Sequence, residues 1–364
     1  MQKITTPTLL LDEGICKANI RRMAEKAQHH NLRFKPHMKT HQSAQVGEWI
    51  KDAGVTAITV SSIDMAHYFA QNGWKDITIA FPCNVGRTQE LNKLAQNITL
   101  TLLINKPETA HQLETHLTST LNTYIEIDTG SARSGLASDD IRAIKELITV
   151  IQKTKFINWV GFYSHAGHSY SCRSEQEISE VQHSIVKQFN NLKKCINPDF
   201  GTFEICSGDT PCCSVANNFG PIDAISPGNF VFYDLMQTQI GSCTPTDIAV
   251  AMVCPVVDKY PKRNELIIHG GAVHFSKESM TKNGLTHYGA VAQKIDNHWK
   301  PLDTASHLVK LSQEHGVICC SDVIFKSYDI GDAITILPIH SCLTANLMSQ
   351  YQLTDKNGTQ VNMM

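Results

Sequence analysis

Long apolar runs are missing from this 364-residue sequence. None approaches the roughly 18 residues that a membrane-spanning helix needs. The opening Met-Gln-Lys-Ile-Thr-Thr-Pro lacks the apolar core of a secretory leader. An excess of one charge is missing too: 32 Lys and Arg stand against 34 Asp and Glu, a net charge of -2. That balance gives no electrostatic case for nucleic acid or an anionic membrane as partner. No C-x-x-C occurs, and the 12 cysteines are scattered, with adjacent pairs at Cys212-Cys213 and Cys319-Cys320. This is not a disulfide framework, and a reducing cytoplasm is the expected location, most thiols being small core residues. Internal repeats, low-complexity segments and long charge runs are also absent.

What is present is material for a large core: 42% hydrophobic and 18% charged residues, in a chain longer than one ordinary domain. Short β-branched or apolar runs alternate with helical patterns. The predicted strands are 33–38, 57–60, 77–81, 101–104, 124–128, 159–164, 202–207 and 224–227. Between them lie amphipathic stretches. One places Ile20, Met23, Ala24 and Ala27 on one face, and another, over 174–195, does so with Ile178, Val181, Ile185 and Phe189. Eight strands alternating with helices predict an α/β fold with parallel βαβ units. Their number and span fit a (β/α)8 barrel over 12–243, with a doubly wound open sheet as the alternative. The texture then becomes mostly β over 244–364, with strands predicted at 248–257, 265–268, 289–293 and 333–337. Segment 1–11 is expected to pair with this second domain.

In a barrel enzyme the reacting groups sit at the C-terminal strand ends. The first strand ends at Lys39, in Lys35-Pro36-His37-Met38-Lys39-Thr40-His41. Placement near a helix start, together with desolvation, would lower its pKa from about 10.4, the chemistry of a Schiff-base lysine. The fifth strand ends in a Gly-bracketed loop presenting Arg133. The sixth carries Tyr163 and His165, which share a face. The seventh ends at Ser207-Gly208-Asp209-Thr210 and the eighth at Ser226-Pro227-Gly228-Asn229. Loops after strands seven and eight often hold phosphate, and Ser207, Gly208, Thr210, Gly228 and Asn229 suit a backbone cradle. Each loop alone is ordinary turn chemistry. A phosphate site, a lysine and an arginine together suggest pyridoxal phosphate. Far downstream, His340 and Cys342 are expected to project to one side of an extended segment, an imidazole–thiolate pair of the zinc type. Glu314-His315-Gly316 is another candidate cluster, and reads as a turn with solvated side chains unless it approaches the metal.

These motifs, taken in order, resemble the fold-type III pyridoxal phosphate enzymes of the D-threonine aldolase and zinc-dependent D-serine dehydratase group. The resemblance runs through Pro36–His41, Ser207–Pro211, Pro227–Asp234, Gln313–Gly316 and Pro338–Cys342, and spans essentially the whole chain. It implies an alanine-racemase-like barrel plus a β domain, and a homodimer with shared active sites. It implies that Lys39 bonds the cofactor, with Arg133 near its phenolic oxygen and Tyr163 near its ring nitrogen. Gly208, Thr210, Gly228 and Asn229 would then bind phosphate, and His340 and Cys342 a divalent metal, zinc foremost. Alanine racemases place an arginine where Ser226 stands and a tyrosine near Gly270-Gly271, so racemisation is not expected. The histidine–cysteine pair points to dehydration of a 3-hydroxy D-amino acid such as D-serine, giving 2-keto acid and ammonia. Aldol cleavage to glycine and an aldehyde is the alternative, and a non-catalytic pyridoxal phosphate-binding protein is the rival from another class.

Overall fold

The computed structural model describes residues 4–282, 284–355 and 358–364. The first three residues of segment 1–11 therefore lie outside the described residues, as do Asn283, Lys356 and Asn357 of the C-terminal region. The chain divides into two units. One comprises Arg22–Lys39 and Ile50–Gly228, and the other Met1–Arg21, Thr40–Trp49 and Asn229–Met364.

The first unit is a parallel barrel. Strands Arg33–Phe34, Ala224–Ile225, Glu204–Ser207, Ile157–Ser164, Leu121–Asp128, Thr99–Leu103, Asp76–Pro82 and Ile58–Val60 follow one another around it. The ring closes where His37 bridges Thr59: the Met38 N–H donates to the Thr59 carbonyl (2.8 Å), and the Thr59 N–H to the Pro36 carbonyl (2.9 Å). Pro36 has no N–H of its own, so this seam is a bridge and not a continuous ladder. The open-sheet alternative is thereby corrected.

Both faces of such strands are covered, which is why they read as nearly unbroken apolar runs. The helices between them present one apolar stripe each. Ile141–Gln152 is capped by Asp140 and buries Ile144, Leu147, Ile148 and Ile151. Glu175–Phe200 is capped by Ser174 and runs five residues past its expected end, with Pro198 in its last turn. At Gly161 (φ +149°) a Cβ would lie 1.9 Å from the Glu204 carbonyl oxygen, so only glycine allows these two strands to approach.

Lys35 is 1% exposed. Its ammonium donates to the Tyr124 hydroxyl (3.1 Å) and lies 3.9 Å from Glu204, which also receives the Tyr124 O–H and pairs with Arg33 at 3.2 Å. A buried ammonium needs such partners. Packed with this cluster is an apolar layer of Leu103, Tyr124, Tyr163, Cys206 and Ala224.

The second unit is built on an antiparallel sheet. Its core strands are Glu265–His269, His315–Cys319, His307–Leu311, Gly289–Ile295, Ala333–Pro338 and Val250–Tyr260. Thr8–Leu11 adds to it antiparallel to Val250–Val253, and parallel to Gln350–Leu353 on its other side. Among the described residues no helix is long and apolar enough to cross a membrane.

Candidate active site

A cavity of about 440 Å³ opens in the barrel unit, with Lys39, Ser61, Phe81, Arg133, Tyr163 and His165 among its lining residues. Lys39 is exposed on this wall, and the next helix, Ala44–Asp52, begins five residues later. The expected desolvation and helix-end placement are thus both corrected: this chain leaves the amine open to solvent, reachable by a ligand.

His165 lies opposite in character. Its Nδ1 donates to the Gly208 carbonyl, which leaves Nε2 as the unprotonated nitrogen. Burial first, then the charges of Lys39 and Arg133, push its pKa down to about 3. His165 is therefore a neutral ring at any physiological pH. Tyr163 lies 3.4 Å from Ser226 Oγ, Ser226 donates to Thr59 Oγ1 (2.9 Å), and Thr59 donates to the Lys35 carbonyl (3.0 Å). The carbonyl can only accept, so the direction of this chain is fixed, and Ser226 offers Tyr163 a lone pair. No cation occupies the Ser226 position.

Arg133 is half exposed and reaches 3.7 Å from Glu126, a buried carboxylate that also accepts from Asn105 Nδ2 at 3.1 Å. The loop carrying Arg133 is shaped by Asp128. Burial raises the Asp128 pKa, but backbone N–H groups of Gly130, Ala132 and Ser131 outweigh it and hold the carboxyl below the usual range.

Ser207 ends its strand buried, and Thr210 opens the short helix Thr210–Val215, capped by Asp209 on the Cys212 N–H (2.8 Å). At Gly208 a Cβ would meet the Ser226 carbonyl oxygen at 2.6 Å, and its own N–H is engaged by Ser164 (2.9 Å). Close packing of the strand-seven and strand-eight ends is the reason for glycine here. Gly228 follows Pro227, whose carbonyl accepts the His37 N–H (2.8 Å).

His340 and Cys342 lie in the other unit, and not on an extended segment. The strand stops at Pro338; His340 is the N-cap residue of helix Ser341–Met348, so Cys342 sits in its first turn. The correction has a simple cause: Ser341 and the residues after it find helical partners, and the turn, not strand alternation, brings the two side chains together. Burial draws the His340 pKa down, but its hydrogen bond to Cys342 and the thiolate's charge lift it to about 9. Burial pushes the Cys342 thiol up, and His340 and Thr40 outweigh it, so the thiol pKa falls below its ordinary value. Thr40 Oγ1 is 3.3 Å from the sulfur and Asn229 Nδ2 is 3.5 Å from it. A cysteine sulfur beside an imidazole is the soft N/S donor set that zinc takes.

Glu314 is not merely solvated. It stands 3.6 Å from His269 Nε2 and 3.9 Å from His274 Nε2. The Gly271 N–H donates to His274 Nδ1 (3.1 Å), which puts the neutral ring's proton on Nε2. That nitrogen faces Glu314 with a proton and not a lone pair, so this cluster is a poorer metal site than its composition suggests. Sequence reasoning singled out Glu314 but missed His269 and His274, along with Glu126 and Asp234. The one available signal was the setting of Asp234 and Glu314 within motifs that already stood out.

Two buried histidines set an acid limit on stability. His41 and His165 both have folded pKa values of about 3, against an ordinary 6.5, through burial. Their contribution is whole above pH 6.5 and is lost as pH falls towards 3, because the unfolded chain then binds more protons. Unfolding at pH 5 should take up about two more protons than at pH 8, from these two residues. Urea midpoints measured between pH 8 and pH 5 should fall accordingly, and less steeply in His41→Asn.

A closed parallel barrel joined in sequence to a largely antiparallel β module is the alanine-racemase-like architecture of the fold-type III pyridoxal phosphate enzymes. The chain belongs to the alanine racemase N-terminal domain family, whose model matches residues 11–232, and residues 249–354 match a putative serine dehydratase domain. It is 27% identical to D-serine dehydratase of Dictyostelium discoideum over 100% of this chain and 96% of that protein. It is 25% identical to D-threo-3-hydroxyaspartate dehydratase of Delftia sp. strain HT23, covering 98% of this chain and 96% of the other. The solved structure of the Delftia enzyme superposes with a TM-score of 0.91 at 22% identity, over 99% of this chain and 98% of the other. That enzyme has also been solved with a histidine changed to alanine and, in a metal-free form, with a cysteine two positions further on changed to alanine.

Proposed function

We propose that this protein is a pyridoxal phosphate- and metal-dependent lyase that dehydrates a 3-hydroxy D-amino acid, D-serine foremost, to a 2-keto acid and ammonia. The observation that carries the reading is the His340–Cys342 pair, an imidazole and a thiol two residues apart at the start of one helix, the same spacing as the histidine and cysteine changed to alanine in the two variants of the Delftia dehydratase. We further propose a homodimer, on the resemblance noted above, and a cytoplasmic location, on the scattered cysteines.

The barrel cavity fits an anionic phosphorylated aldehyde: Lys39 and Arg133 are among its lining residues, and no carboxylate is. When bound, pyridoxal phosphate supplies an electron sink at the substrate's Cα, and a divalent metal supplies Lewis acidity at its β-oxygen. Lys39, on the cavity wall, would hold the cofactor through its amine and would serve as general base for the substrate's Cα proton. Arg133 brings a fixed positive charge for the phenolic oxygen. Tyr163, backed by Ser226, gives the ring nitrogen a neutral hydroxyl and no cation. His165 forms an uncharged wall and does not compete for the proton. Ser207, Thr210 and Gly228 would receive the phosphate, with the Asn229 backbone, while Gly208, its N–H engaged by Ser164, lets the strand-seven and strand-eight ends approach. His340 and Cys342 would hold the metal. The released enamine hydrolyses to keto acid and ammonia.

The test is product analysis. With D-serine the purified, cofactor-loaded protein should form pyruvate and ammonia in equal amounts. D-threonine and 3-hydroxy-D-aspartate should also yield keto acids. Glycine with an aldehyde and no keto acid would establish aldol cleavage instead, and cofactor binding without turnover of any of the three would establish a carrier.

A further inference from the structure

One buried carboxylate within the second unit has no part in the chemistry above. Asp234 is 1% exposed. Its Oδ2 accepts from the Ser341 N–H (2.9 Å), the Ser341 hydroxyl (3.1 Å) and Asn229 Nδ2 (2.7 Å). Its Oδ1 caps helix Leu235–Ile240 at the Gln237 N–H (2.9 Å). Both residues that Oδ2 grips adjoin the thiolate. Ser341 separates His340 from Cys342, and Asn229 Nδ2 lies 3.5 Å from the Cys342 sulfur. The carboxylate also settles which way the Asn229 amide points: its nitrogen faces Asp234. Its oxygen is turned the other way, buried and without a hydrogen-bond partner.

We infer that Asp234 and Asn229 are positioning residues for the metal at His340 and Cys342. Asp234 fixes the His340–Cys342 turn through Ser341. It also orients the Asn229 amide so that Nδ2, which reaches Ser341 Oγ at 3.1 Å, stays beside the Cys342 sulfur at 3.5 Å. Outer partners of this kind commonly set metal affinity by 10–100-fold. The inference rests on the proposed metal pair and adds the reason why Asn229, and not a leucine of similar size, stands in this buried place.

The experiment is a zinc-affinity titration of the purified full-length protein against a chromophoric chelator, without substrate. Wild type, Asn229→Leu, Asp234→Asn and Thr40→Val would be compared, with thermal midpoints of the zinc-free forms measured alongside. Asn229→Leu and Asp234→Asn should each weaken zinc roughly 10–100-fold. The double variant should lose less than the product of the two, since one residue acts partly through the other. Thr40→Val, which removes only the hydroxyl at the sulfur, should lose less than either while keeping the zinc-free midpoint. Affinities for Asn229→Leu and Thr40→Val within threefold of wild type would overturn the inference, even if Asp234→Asn fails to fold. Failure of wild type to bind one zinc would instead overturn the metal pair itself.

Discussion

Lys39→Ala should abolish turnover, lowering kcat by at least roughly 10³–10⁴. It removes the general base, worth about 10²–10⁴ alone, together with the nucleophile that anchors the cofactor. The cavity itself should survive, because Lys39 is exposed and its side chain supports no core packing. Thermal stability of the cofactor-free protein should therefore stay within about 0.5 kcal/mol of wild type, as for other surface substitutions. Borohydride treatment of the loaded wild type should fix the cofactor to the peptide containing Lys39, and the variant should carry no such label. A label found on Lys35 would sink the assignment. Lys35 is the neighbouring lysine, four residues earlier, and Tyr124 and Glu204 already hold it. A small added amine should restore part of the lost rate in Lys39→Ala, because the cavity that would receive it remains.

Removing the metal should have the second largest effect. Thorough chelation, or His340→Ala, should lower turnover by roughly 10²–10³, the equivalent of the several kcal/mol that Lewis-acid stabilisation of a leaving oxygen supplies. The cofactor's absorbance should remain, since the residues proposed to hold it in the barrel unit are untouched. Adding zinc or manganese back should restore the chelated wild type and not the His340 variant. Affinity should depend on pH in a defined direction. In the metal-free protein His340 keeps its proton up to about pH 9, so the metal must displace one proton below that value. Affinity should then rise about tenfold per pH unit and level off near pH 9. Activity that survives chelation would assign the pair a structural role.

Much of the barrel was legible in the linear chain. Its strands are buried on both faces and are written as apolar runs, and every one of the eight expected runs holds an observed strand. The second unit was read less completely. His298–Pro301, His307–Leu311 and Gln350–Leu353 went unpredicted, because they are short and carry polar residues throughout. Lys35 gave no signal at all. A lysine inside a barrel looks in sequence like any surface lysine, and only its contacts with Tyr124 and Glu204 show why burial is tolerable.

Residue chemistry and local order were thus decided by the sequence: a lysine closing the first strand, glycines at crowded turns, a histidine and a cysteine two positions apart. Side-chain alternation and apolar runs are properties of neighbours along the chain, which a linear reading can follow. Three things were decided only by tertiary structure. The ring closes through His37 and Thr59, the His340–Cys342 pair forms in a helical turn, and Asp234 reaches Ser341 from 107 positions away. Each depends on hydrogen bonds between distant segments, and those partners are chosen by packing, which composition and spacing do not encode.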